Sequence, residues 1–206
     1  MSLPSLRLKP NADRRLRAGH LWIYSNEIDV AATPLNGFAP GAQAILEAAG
    51  GKPLGIVAMS PNNLICARLL SRDIKLPLDK SLLVHRLNVC LSLRERLFDK
   101  PFYRLVYGDS DLLPGLVVDR FGDILVVQLA SATMEQHKDD VLAALIQVIK
   151  PSGILLKNDS AARDAEGLNR YVETAFGLVP EWVALEENGV KFEAPVMEGQ
   201  KTGWFY

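Results

Sequence analysis

Short apolar runs separated by glycine- and proline-bearing turns fill the first 75 positions of the chain. Leu6-Arg-Leu-Lys9 alternates apolar with basic, so it reads as a strand whose charged residues share one face. Leu21-Trp-Ile-Tyr24, then 42–47, 54–59 and 64–70, continue the series, and Ala49-Gly-Gly-Lys52 supplies a hairpin turn. One short helix interrupts them, with Asn11 as its expected cap, Arg17 near its end and Gly19 as its stop. Many short strands with turns between them predict a small barrel-like β module. Pro77 then marks a boundary. Asp79 is placed to cap a helix over 79–98, where Leu83, Leu87, Cys90 and Leu97 recur at helical spacing, and the helix is expected to pack the two modules together.

Three further apolar runs follow, at 105–107, 116–118 and 124–129. Leu113-Pro-Gly115 and Asp119-Arg-Phe-Gly-Asp123 join them at hairpin lengths, with Gly115 and Gly122 at turn positions that favour positive φ. The run 124–129 lacks alternation, which predicts a strand covered on both faces. Val141, Leu142, Leu145, Ile146 and Ile149 give 134–149 the clearest helical face in the chain, ended by Pro151 and Gly153. Ile154-Leu-Leu156 reads as a buried strand, and 190–195 as another after the turn Glu187-Asn-Gly189. The expected order from Leu116 to Pro195 is therefore strand, strand, helix, strand, strand, in an α+β chain whose strands read as hairpin-linked and antiparallel.

The residues Tyr103-Arg-Leu and Gly108-Asp-Ser-Asp-Leu-Leu-Pro-Gly-Leu-Val-Val-Asp-Arg-Phe-Gly-Asp123 resemble the central segment of a bacterial family. This family comprises the PUA-domain class I S-adenosylmethionine-dependent RNA methyltransferases of the large-subunit ribosomal RNA cytosine-C5 type. His20-Leu-Trp-Ile-Tyr-Ser25 is similar to its N-terminal aromatic strand. Gly199-Gln-Lys-Thr-Gly-Trp-Phe-Tyr206 is similar to the run that enters its methyltransferase domain. The resemblance implies a PUA-like β pseudobarrel over 1–75, a connecting helix over 76–102 and an α+β middle domain over 103–198. It further implies that 199–206 begins a linker into a catalytic Rossmann-like domain that this chain lacks. Met1-Ser-Leu3 reads as an added leader, and the end at Tyr206 as a cut rather than a natural terminus.

Composition adds little beyond class. Hydrophobic residues are 49% and charged residues 23%, which is ordinary for a globular chain and excludes a disordered one. No apolar run approaches the ~20 residues a membrane helix needs, and the N-terminus lacks a signal-peptide core. Two cysteines, Cys66 and Cys90, stand without metal-ligand spacing, which fits a reducing, cytoplasmic setting.

Charge is more informative. The net charge of −1 conceals a basic N-terminal part, where nine Lys and Arg face five Asp and Glu over 1–75. Five of those nine lie in the first twenty positions. Lys9, Arg14, Arg15, Arg17 and His20, beside the rings of Trp22 and Tyr24, form the candidate RNA-binding set. Guanidinium groups grip phosphates with paired donors, and rings stack on unpaired bases. The same pattern also fits a solvated basic face with Trp22 and Tyr24 in the core, and Trp22 is expected to be core.

Other chemistry is thin. Asp109, Asp111, Asp119 and Asp123 flank turns, where Asp is expected for backbone reasons, and no Glu follows at the offset of a calcium loop. No metal is expected on them; Asp119 is expected to pair with Arg104 or Arg120. His20, His85 and His137 have no partners at zinc spacing. Neither cysteine sits where a thiol pKa would fall. No glycine-rich strand-to-helix turn is present to admit a nucleoside cofactor. No catalytic residue is therefore expected on the chain, and no S-adenosylmethionine, with Lys201 and Thr202 at most edging a cofactor pocket completed elsewhere. The implied partner is structured RNA, ribosomal first, with no membrane and with a homodimer open. The expected function is the RNA-recognition part of an RNA methyltransferase; the alternatives are a stand-alone RNA-binding adaptor and, more remotely, a hydrolase with a metal on Asp109 and Asp111.

Overall fold

The computed structural model describes residues 3–187 and 189–198. Its first unit is a five-stranded sheet of β1 (Ser5–Arg7), β2 (Trp22–Tyr24), β3 (Gln43–Glu47), β4 (Pro53–Met59) and β5 (Ile65–Ser71), in the order β1-β3-β4-β5-β2. β1 pairs parallel with β3, and the other pairs are antiparallel. The two edge strands meet beyond their ends, where Leu8 bridges Ile28, so the sheet curls into a pseudobarrel. Leu6, Leu8, Ile23, Leu46, Val57 and Met59 fill it and are fully buried. The short helix α1 (Arg14–Arg17) begins after Asp13 rather than from a cap at Asn11. Asn11 itself adopts positive φ, and the carboxylate of Asp13 is held by Arg17 at 2.6 Å.

Helix α2 (Lys80–Leu97) starts where the sequence places it, with the Asp79 carboxylate accepting the Leu82 amide at 2.8 Å. Satisfying such an orphan donor stabilises a helix by about 1 kcal/mol. Its buried side chains Leu83, Leu87 and Cys90 join Ile56, Ala58 and Leu70 of the first sheet to the second core, so α2 ties the two units together. Gln43 reinforces the tie, exchanging two hydrogen bonds with the Leu78 backbone at 2.8 and 3.0 Å.

The second sheet has the order β10-β9-β8-β7-β6. Its strands are β6 (Phe102–Tyr107), β7 (Leu116–Phe121), β8 (Ile124–Leu129), β9 (Gly153–Asn158) and β10 (Tyr171–Gly177). Every residue of β8 is buried, as its unbroken apolar run requires. Helices α3 (Ala132–Gln136) and α4 (Lys138–Ile149) carry the chain from β8 across to β9. α2 and α4 cover one face, and the hairpin β11 (Trp182–Glu187)–β12 (Val190–Pro195) covers the other through Val183, Leu185 and Ala194.

Several particulars differ from the sequence reading. The single helix over 134–149 is two, broken at His137. Upstream of the break, Thr133 donates to the Gly41 carbonyl and Gln136 to that of Pro40. At the break, the His137 ring meets Asp140 and Gln43. β8 and β9 pair parallel, as do β1 and β3, so the strands are not all hairpin-linked. The strand that follows β9 in the sheet is Tyr171–Gly177, while 190–195 pairs with Trp182–Glu187 instead.

Candidate nucleic-acid interface

The basic residues singled out in the sequence gather around α1 and the start and end of β2. Lys9 is exposed and donates to the Asn26 carbonyl at 2.9 Å. Arg15 reaches Glu27 at 3.3 Å while its guanidinium lies 4.9 Å from the centre of the Tyr24 ring, so one cation is shared between a carboxylate and a π face. Arg14 and Arg17 are exposed on α1. Arg17 is paired with Asp13, whose carboxyl it holds below the usual range mainly through their hydrogen bond. Arg14 donates to the Asn11 side chain at 3.4 Å. His20 is exposed on the turn that leads into β2. Exposed ion pairs of this kind contribute little to stability, so phosphates can replace the carboxylates at small cost.

Trp22 is 41% exposed, contrary to its expected place in the core; Ile23 is the inward residue of β2 and is fully buried. The period of two in a strand puts one residue of a Trp-Ile-Tyr run inside and its neighbours outside. Which of the two sets turns inward depends on sheet pairing, which the three letters alone do not contain.

Two residues of this surface went unseen in the sequence. Arg68 faces Trp22 across the β5–β2 pair, and Arg72 donates to the Leu16 carbonyl of α1 at 3.1 Å. Both come from the far end of the first unit, and β5 lies beside β2, but only Arg72 reaches α1; the Arg68 guanidinium turns to Ser60 at 3.5 Å and Glu166 at 4.0 Å. The available signal was Arg68 as the single charge inside the apolar run Ile65–Ser71.

Two of the acidic residues near the second sheet, Asp111 and Asp119, are held in ion pairs. Arg94 holds Asp111 with two bonds of 2.8 and 2.7 Å, and the Tyr107 amide adds a third at 2.7 Å. Asp119 is buried and paired with Arg104 at 2.8 and 3.2 Å; Arg120 binds the Gly122 carbonyl and the Tyr103 hydroxyl instead. Burial raises the Asp119 carboxyl despite the opposing pull of Arg104. Asp123 is exposed. Cys66 and Cys90 are buried, and desolvation pushes their thiols up to about 11 and about 12. Lys201 and Thr202 lie outside the described residues.

A small curled sheet with a basic, ring-bearing rim defines the first unit as a PUA-like domain, and residues 6–72 match the family of that description. The chain as a whole is homologous to proteins named Ribosomal RNA large subunit methyltransferase I. It is 35% identical to that of Aliivibrio fischeri strain MJ11 over 98% of this chain and 51% of the relative. It is 34% identical to that of Vibrio cholerae strain N16961, again over 98% and 51%. The chain thus spans about half the length of the curated relatives it matches. Two solved structures share the fold at 20% identity. A candidate SAM-dependent methyltransferase from Streptococcus mutans superposes with a TM-score of 0.77 over 96% of this chain and 50% of its own. A second candidate methyltransferase, solved in complex with SAH, gives 0.78 over 96% and 49%.

Proposed function

We propose that this chain is the RNA-recognition part of an S-adenosylmethionine-dependent RNA methyltransferase that acts on cytosine C5 in large-subunit ribosomal RNA. The observation that carries the reading is the rim of the PUA-like domain. There the ring of Trp22 is exposed on β2, and the exposed cations Lys9, Arg14, Arg17 and His20 lie on α1 and the segments that flank it and β2. Cations engage the phosphate backbone and fix register, while rings stack on unpaired bases. The names of the homologous proteins supply the substrate class and the reaction.

The division of labour follows the sequence reading. Residues 1–75 grip RNA, 76–102 connect, and 103–198 orient a methyltransferase domain reached through 199–206. Chemistry and the main cofactor contacts belong to that further domain, where a cysteine thiolate adds to C6 of the base and makes C5 nucleophilic. Lys201 and Thr202 border its cofactor pocket. The setting is the cytoplasm; among the described residues no helix is long and apolar enough to cross a membrane.

Calorimetry with S-adenosylmethionine tests this division. The 206-residue chain should give no saturable heat, whereas a longer form carrying the catalytic domain should. Saturable binding by the shorter chain would place the cofactor site here and overturn the division.

A further inference from the structure

A cleft of about 610 Å³ opens between the PUA-like sheet and the second unit. Its second-unit wall includes Ala130 and Ser131, just past the end of β8, and Ala162 and Ala165, in the 3-10 turn Ala161–Glu166 that follows β9. Because β8 and β9 run parallel, both carboxyl ends open on the same side. That is where open sheets with parallel strands usually take ligands, and the volume lies within the range of small-molecule sites.

The cleft is bounded so as to suit a flat, uncharged ring. Gly115, Ala130, Ala162 and Ala165 give one wall almost without side chains, and Tyr24 from β2 contributes an aromatic ring opposite. Two acids, Asp109 and Glu166, line it with one cation, Arg68, whose charge is met by Glu166 at 4.0 Å, so the lining keeps a net negative charge that would repel a phosphate. Glu166 is already committed. It accepts from Ser60 at 3.1 Å, from Asn63 at 2.8 Å and from the Ala132 amide at 3.3 Å, holding the two units together around the cleft. Asp109 is not: its Oδ1 is shielded from water and has no donor among the described residues. A buried acceptor without a donor is costly, and the terminal torsion of Asp turns easily, so the carboxylate can swing to meet an incoming N–H.

We propose that this cleft receives a single unpaired guanine of the bound RNA, with Asp109 reading its edge; the proposal rests on the RNA reading above. Guanine is the standard base that presents an imino N–H beside an exocyclic amine, and this pair matches the two oxygens of one carboxylate. Adenine and cytosine offer the amine alone, and uracil the imino alone. The phosphates stay outside, toward the basic rim around α1, while the base inserts.

The test uses the full chain and fluorescein-labelled pentaribonucleotides UUGUU, UUAUU, UUCUU and UUUUU, followed by anisotropy at low salt. UUGUU should bind about tenfold more tightly than the other three, the discrimination expected of one paired edge contact. Asp109→Asn should abolish that preference and leave the affinity for UUUUU unchanged. Ala165→Phe, at an exposed position of the wall, should do the same by filling the slot, which keeps the test open if Asp109→Asn fails to fold. Equal binding of all four oligonucleotides by the wild type overturns the guanine site while leaving the RNA reading intact. A preference that survives in a folded Asp109→Asn variant also overturns it. Absence of binding by all four also overturns the guanine site, whereas the RNA reading falls only if a structured ribosomal RNA fragment fails to bind as well.

Discussion

Arg68 stands directly across from Trp22 in the antiparallel pairing of β5 with β2. Directly opposed residues in such a pair project from the same face with Cβ atoms about 5 Å apart. Backbone pairing alone thus sets the bases of the two side chains next to each other, with the Arg68 guanidinium turned to Ser60 and Glu166 and the Trp22 ring left open to solvent. Trp22→Ala should weaken binding of single-stranded or looped RNA by roughly 1–3 kcal/mol, the contribution of one stacked base. Because the ring is 41% exposed, the variant should melt close to the wild type. Anisotropy and thermal melts read the two effects separately, and a large loss of stability with RNA affinity retained would return Trp22 to the core.

The Arg94–Asp111 pair predicts a stability effect with no binding counterpart. Both side chains are nearly buried, at 12% and 10% exposure, and the contact is bidentate. Asp111→Ala should destabilise the chain by about 3 kcal/mol, since it leaves a guanidinium buried without its anion. Adding Arg94→Met should recover part of that loss. Urea denaturation measures both, and a single variant that unfolds at the wild-type midpoint would contradict the assignment.

Gly115 and Gly122 should respond unequally to the same substitution. Both have positive φ, at 83° and 64°, so any side chain is strained at either. A Cβ at Gly115 would also lie 2.3 Å from the Ser131 oxygen, whereas at Gly122 the nearest atom is 3.9 Å away. Gly122→Ala should cost about 1 kcal/mol, the ordinary penalty for left-handed backbone. Gly115→Ala should cost clearly more, because Ser131 caps α3 and cannot move freely. Equal melting temperatures for the two variants would refute this.

The buried thiols predict a stability loss at high pH. Cys66 and Cys90 ionise at about 11 and about 12 in the fold, against an ordinary 9.0. Between these values the folded chain holds protons that the unfolded chain has released, so stability falls as pH rises. It should be full below about pH 9 and decline toward pH 11–12. Replacing both cysteines with alanine should flatten that part of the profile in urea melts. Tyr171, raised to about 12 by burial and its bond to Glu135, leaves a remaining slope.

How much of this was legible in the sequence depended on whether the deciding contact is local. The Asp79 cap, the turn glycines and the buried strand Ile124–Leu129 are set within a few residues, and they stand as read. Tyr171–Gly177 escaped notice because it is an edge strand with mostly exposed residues, so no alternation marks it. The break at His137 arises from contacts with Gly41, Pro40 and Gln43, far off in sequence. The same holds for the interface. Arg14, Arg15 and Arg17 could be picked out as a cluster, but Arg72 joins them only through the order of strands. Parallel pairing of β8 with β9, which creates the cleft, is likewise invisible to a local pattern.

Binding of RNA by the cations of the N-terminal rim should show itself in a salt titration. Affinity for a structured ribosomal RNA fragment should fall linearly on logarithmic axes as salt rises, because each neutralised phosphate releases counterions. The double variant Arg14→Glu, Arg17→Glu should bind less tightly at low salt, and its slope should be shallower by about two. A double variant that overlays the wild type at every salt concentration would contradict the account.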